Sequence, residues 1–157
     1  MITCKFENGG MASLRHVVVD ALVLNDKNQI LLVKRASHLI CGNMYGLIGG
    51  YVERDETTKE AVKREVKEET GYEVKDIKLL RIVDDPDRPK EDRQNIAFVY
   101  LAKAVKQTGK KDRESVSLHW FSLNNLPGPN EFAFDHYDNI IFFRQNFDKI
   151  HHRSHED

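Results

Sequence analysis

Cysteine is scarce in this chain of 157 residues: only Cys4 and Cys41 occur, with no Cys-x-x-Cys pair. That scarcity offers no thiolate cage for structural zinc and suggests a reduced, cytoplasmic protein rather than a disulfide scaffold. Long apolar runs are lacking too; none approaches the ~20 residues that cross a bilayer as a helix. The opening MITCKFENGG shows no basic region followed by an apolar one, so it does not read as a signal peptide. Neither sign of charge dominates, with 24 Lys and Arg against 25 Asp and Glu. The net charge of −1 creates no general attraction to nucleic acid or membrane, so neither is an expected partner. No repeat, low-complexity block or Pro/Ser-rich linker divides the sequence. One domain over 1–157 is expected, with 1–12 as an N-terminal extension and 150–157 as a frayed tail.

What is present is a soluble, globular composition, 40% hydrophobic and 31% charged. The β-branched run Val17 to Leu24 reads as a strand. Asn25 to Asn28 has turn chemistry, and Gln29 to Lys34 returns as a second strand, giving a hairpin. Ile2 to Phe6 reads as an edge strand. Ile77 to Val83, Ile96 to Ala102 and Ser117 to Ser122 read as further strands, and Tyr137 to Phe147 as a helix. Three glycines in Gly46 to Gly50 mark a tight loop. The order predicts an α+β (α/β) protein with a mixed sheet sandwiched between helices.

Between residues 50 and 72 lie six glutamates. Thr57 followed by Glu60 is a capping box and Gly71 suits a helix C-terminus, so the spacing predicts a helix over 58–70. At about 100° per residue, with Glu65 at zero, Glu68 falls at about −60° and Glu69 at about +40°. Val62 and Val66 flank them, and Lys59, Lys63 and Lys67 crowd the far side. Three carboxylates so close repel one another, and a hard divalent ion bound by oxygen would relieve that repulsion. By pattern alone, a solvated charged helix and a metal-binding helix both fit.

The segment also resembles a known family. The pattern G-x5-E-x7-R-E-U-x-E-E-x-G-U, with U a bulky apolar residue, is the Nudix box. Gly50, Glu56, Arg64, Glu65, Val66, Glu68, Glu69 and Gly71 occupy it with correct spacing, and Tyr72 replaces the final aliphatic residue. The resemblance covers residues 15 to 147. It implies a Nudix fold and hydrolysis of a nucleoside diphosphate linked to another moiety. It further implies that Glu65, Glu68 and Glu69, with the Gly49 carbonyl, bind Mg²⁺ or Mn²⁺, and that Arg64 and Glu56 hold those glutamates in position. The family's proton acceptor varies; Glu91 and Glu114 are candidates, with plain surface charge as the alternative. Dimerisation is common in the family, and a homodimer is compatible with this chain.

Substrate choice is written outside the box. Asp84-Asp-Pro-Asp-Arg-Pro resembles the S-D-P-x-R-D-P loop of ADP-ribose-hydrolysing members, then departs after Arg88. On that resemblance Pro86, Arg88, Lys90 and Arg93 are candidates to contact a phosphate or ribose, and Pro86 equally suits simple loop shaping. Phe6 and Tyr45 are candidates to stack on a base, with packing as the alternative. Asp135-His136 reads as a helix start, or as a lining of the nucleotide pocket. The expected partner is a nucleotide-type small molecule, with ADP-ribose or a related nucleotide sugar foremost. A MutT-type nucleoside triphosphate pyrophosphohydrolase, a hydrolase of RNA 5′ ends and a non-catalytic nucleotide-binding module are the competing readings.

Overall fold

A computed structural model describes residues 2–90, 94–109 and 115–152. Among the described residues, nine strands occur in chain order: β1 (Ile2–Lys5), β2 (Met11–Leu14), β3 (Val17–Leu24), β4 (Gln29–Arg35), β5 (Tyr45–Gly46), β6 (Ile48–Tyr51), β7 (Tyr72–Val83), β8 (Ile96–Gln107) and β9 (Ser115–Ser122). Helix α1 (Thr58–Thr70) separates β6 from β7, and α2 (His136–His152) follows β9. Among the described residues, no helix is long and apolar enough to cross a membrane.

The main sheet runs β5-β4-β3-β8-β7, with β6 paired to β3 and β9 to β4. It is mixed: β3 and β8 are parallel from Val17↔Ile96 to Leu24↔Lys103, and the other pairings are antiparallel. The hairpin of β3 and β4 forms as the sequence predicts, closed by Val23↔Leu31 and Leu24↔Ile30. Alternation along β3 divides the core. Val19, Ala21 and Val23 pack with Ala61, Val62 and Val66 of α1 on one face. Val18, Leu22 and Leu24 pack with Ile140 and Phe143 of α2 on the other. A strand buried on both faces reads as a continuous apolar run, which explains the sequence of β3.

Helix α1 has the predicted bounds. Thr57 and Glu60 cap each other reciprocally, and Gly71 terminates the helix in the left-handed region at φ 74°. Three expectations change. Gly49 and Gly50 form a loop in the sequence reading but belong to β6, because pairing with β3 outweighs the local preference of glycine for turns. Ile2 to Lys5 is not an edge strand of the main sheet; it pairs with β2 in a separate hairpin. Helix α2 begins at His136 and continues through His152, into the segment expected to fray. Residues 153–157 lie outside the described residues.

Candidate active site

The geometry of α1 gathers the box residues around one arginine. Arg64 donates to both oxygens of Glu56, at 2.7 and 3.1 Å, and to Glu65 Oε1 at 2.8 Å. It also reaches Glu68 Oε2 at 3.3 Å and the Tyr51 carbonyl at 2.9 Å. One planar guanidinium thus ties the loop before α1, strand β6 and two glutamates of the helix together. The bonds from Arg64 hold the Glu56 carboxyl below its ordinary value. The same carboxylates, Glu56 before Glu65, raise the Arg64 pKa further, against the opposing effect of its partial burial.

Glycines on β6 let this cluster close. A side chain on Gly50 would overlap the Glu65 carboxylate, and one on Gly49 would overlap the backbone carbonyl of Val19. Glu69 is buried and accepts from the Gly49 amide at 3.1 Å. Glu65 and Glu68 instead line a cavity of about 450 Å³, together with Gly49 and Gly50. Among the described residues, no three acidic, histidine or cysteine side chains are drawn into a ready metal cage. Arg64 engages oxygens of Glu65 and Glu68, while Glu69 turns towards Gly49 and does not line the cavity. The donors are nonetheless all oxygen, anionic and clustered, which fits a hard divalent cation.

The opposite wall of the cavity comes from β3, the segment after β7, and the start of α2. Asp20, Arg88 and His136 line it, and all three are buried. Arg88 pairs with Asp135 at 2.5 Å and with Asp20 at 3.5 Å. The Leu47 amide donates to His136 Nδ1 at 3.0 Å, which leaves the proton on Nε2, 3.5 Å from Asp20 Oδ1. Burial raises the Asp20 pKa, but His136 and Arg88 together outweigh it and hold the carboxyl below 3.8. Phe134 also lines the cavity, with φ at 51°, a left-handed conformation unusual for a bulky residue. The Arg35 guanidinium lies 5.3 Å from its ring centre.

A NUDIX domain model matches residues 14–141. The chain belongs to the Nudix family. It is 39% identical over 120 residues to an ADP-ribose pyrophosphatase of Methanocaldococcus jannaschii, covering 76% of this chain and 68% of that protein. It is 32% identical over 108 residues to the 8-oxo-dGDP phosphatase NUDT18 of Danio rerio, covering 66% of this chain. That match spans only 31% of the fish protein. Among solved structures, the NUDIX domain of Shewanella oneidensis NrtR, in complex with ADP ribose, superposes with a TM-score of 0.71. At 24% identity over 87% of this chain and 90% of that one, this likeness concerns the fold. The family match, the archaeal relative and the fold make this Nudix protein a pyrophosphohydrolase.

The remaining sequence candidates divide sharply. Glu56, Arg64, Glu65 and Glu68 come together as expected, while Glu69 sits behind Gly49. Arg88 is no solvated loop residue but a buried member of the far wall. Pro86 and Lys90 are exposed and away from the cavity lining, and the Lys90 ammonium donates to the Phe132 carbonyl at 2.8 Å. Tyr45 is also absent from that lining; it packs between Phe121, His119 and Phe132, beneath the Lys34 ammonium. Phe6 is exposed on the N-terminal hairpin. Glu91, Arg93 and Glu114 lie outside the described residues. Glu53, in the loop before α1, also lines the cavity. Asp20 went unread, although it is the single charge in the apolar run of β3, a signal that could have found it.

Proposed function

We propose that this Nudix protein hydrolyses the diphosphate bond of ADP-ribose or a closely related nucleotide sugar, with Mg²⁺ as cofactor. One observation carries the reading: a single cavity joins the box glutamates to a buried polar wall and an aromatic ring. Its volume of about 450 Å³ suits a nucleotide-sized ligand. When bound, a divalent cation would neutralise phosphate charge and make its water a better nucleophile. The protein's own residues do the rest. Glu65 and Glu68 hold the cation on a rigid helix, Arg64 and Glu56 fix their orientation, and bare backbone at Gly50 leaves room for the Glu65 carboxylate.

The far wall supports an uncharged, hydrogen-donating group rather than a further phosphate. Arg88 is already engaged by two carboxylates, so Asp20 remains as an acceptor for ribose hydroxyls or a base N–H. Phe134 offers a ring face for a planar base. Identity to the archaeal pyrophosphatase favours ADP-ribose among such ligands. A second reading, pyrophosphohydrolysis of oxidised nucleotides, is favoured by the partial matches to NUDT18 and to a putative 8-oxo-dGTP diphosphatase of Bacillus subtilis. An assay against ADP-ribose, dinucleoside polyphosphates, NADH and deoxynucleoside triphosphates separates the two. Release of AMP from ADP-ribose supports the first, preferred release of pyrophosphate from triphosphates the second. Absence of turnover on all of them overturns both.

A further inference from the structure

We propose that Arg15 is a positioning residue that sets the far wall of the cavity from outside it. Arg15 follows β2 directly and is not part of the cavity lining. Its guanidinium donates to the Gln94 carbonyl at 2.5 Å, to Asp84 at 2.6 Å and to Asn95 at 3.3 Å. These carbonyls lie beyond the ends of the strand ladders. The last β7–β8 rung is Val83↔Ala97, and the β3–β8 ladder begins at Val17↔Ile96. Where ladder bonding stops, one side chain from a third segment bridges the two chain ends.

Both ends lead into the cavity. Asp84 is four residues before Arg88, whose side chain forms the buried pairs with Asp20 and Asp135, and Asn95 is itself a lining residue. Three carbonyls on two chain ends suit donors spread over a rigid planar fork, which a guanidinium provides, whereas an ammonium donates from a single nitrogen. Without the bridge, ligand binding would have to order this wall, which weakens affinity while leaving the glutamates on α1 unchanged.

The proposal rests on the reading of the cavity as the substrate site, and the test separates the two. ADP-ribose affinity is measured by calorimetry without metal for Arg15→Ala, Arg15→Lys and Arg88→Lys, alongside hydrogen exchange of the ligand-free proteins. Arg15→Ala is expected to weaken affinity about tenfold, the scale of one lost ordering interaction. Exchange should accelerate in residues 84–90 but not in α1, and kcat with Mg²⁺ should stay within about twofold. Arg15→Lys should recover only part of the affinity. Unchanged affinity in Arg15→Ala, with Arg88→Lys weakened, overturns the role of Arg15 alone. Unchanged affinity in Arg88→Lys overturns the cavity reading and the proposal with it. Acceleration of exchange throughout α1 and β3 reduces Arg15 to general stability and also overturns it.

Discussion

Gly50 and Glu65 are in such close contact that the place of a side chain on Gly50 is already taken by the Glu65 carboxylate. Gly50→Ala therefore displaces the movable end of a glutamate, and the fold should survive while activity is lost. Gly49→Ala instead meets the backbone of β3, which cannot swing aside. Overpacking of that kind costs about 1–3 kcal/mol or more. Thermal unfolding and turnover of the two variants should thus diverge: Gly50→Ala inactive but near wild-type stability, Gly49→Ala destabilised.

Arg64 grips Glu56 with two bonds and Glu65 with one. Glu56→Gln and Arg64→Lys each break this geometry. Losses of about 10–100-fold in activity or metal affinity are expected from such supporting residues. Titration of activity against Mg²⁺ checks this; an unchanged half-saturating Mg²⁺ concentration together with unchanged kcat would refute it.

Glu68 and Glu69 should separate chemistry from stability. Glu68 is exposed, and Glu69 is buried against the Gly49 amide. Glu68→Gln should abolish Mg²⁺-dependent hydrolysis, whereas Glu69→Gln should reduce it only through the disturbed Gly49 contact. Only Glu69→Gln should also lose stability, by about 1–3 kcal/mol, the scale of a disturbed buried hydrogen bond. Wild-type turnover in Glu68→Gln would reject the metal-binding role of that residue.

Phe134 should govern affinity rather than rate. Stacking of a base on an aromatic ring is worth about 1–3 kcal/mol, so Phe134→Leu should raise KM about tenfold with kcat held. Phe134→Trp should retain wild-type affinity. Equal KM values for all three proteins would remove the ring from the binding site.

The buried Asp20 carboxylate gives a pH signature. Its folded-state pKa lies below the ordinary 3.8, because His136 and Arg88 outweigh the upward push of burial. The stabilisation is therefore complete above pH 3.8 and disappears as pH falls through the lowered value. Asp20→Asn should cost about 1.5–3 kcal/mol at pH 7, the range for a hydrogen bond to a charged partner. Urea unfolding of both proteins at pH 7, 4 and 3 should show the gap narrowing only at the acid end. A constant gap would show that folding does not lower the Asp20 pKa.

Local chemistry made α1 legible: a capping box, a left-handed glycine and apolar residues at helical spacing act within a few positions of each other. The spacing of Arg64, Glu65 and Glu68 was legible for the same reason, since a helix converts spacing directly into direction. The glycines of β6 were not, because their strand exists only by pairing with β3, and the N-terminal hairpin exists only through its own pairing.

The sequence by itself therefore determined the glutamate helix, the hairpin of β3 and β4, the layered mixed sheet and the Nudix chemistry. Tertiary structure alone decided that Glu69 faces Gly49, that Tyr45 packs away from the cavity, and that Phe134 lines it. It also decided the far wall, where Arg88 meets Asp20 and Asp135 across 68 and 47 residues of chain. Caps and periodicity reach across one or two turns; contacts over such separations are fixed only when the whole sheet and both helices close around one core.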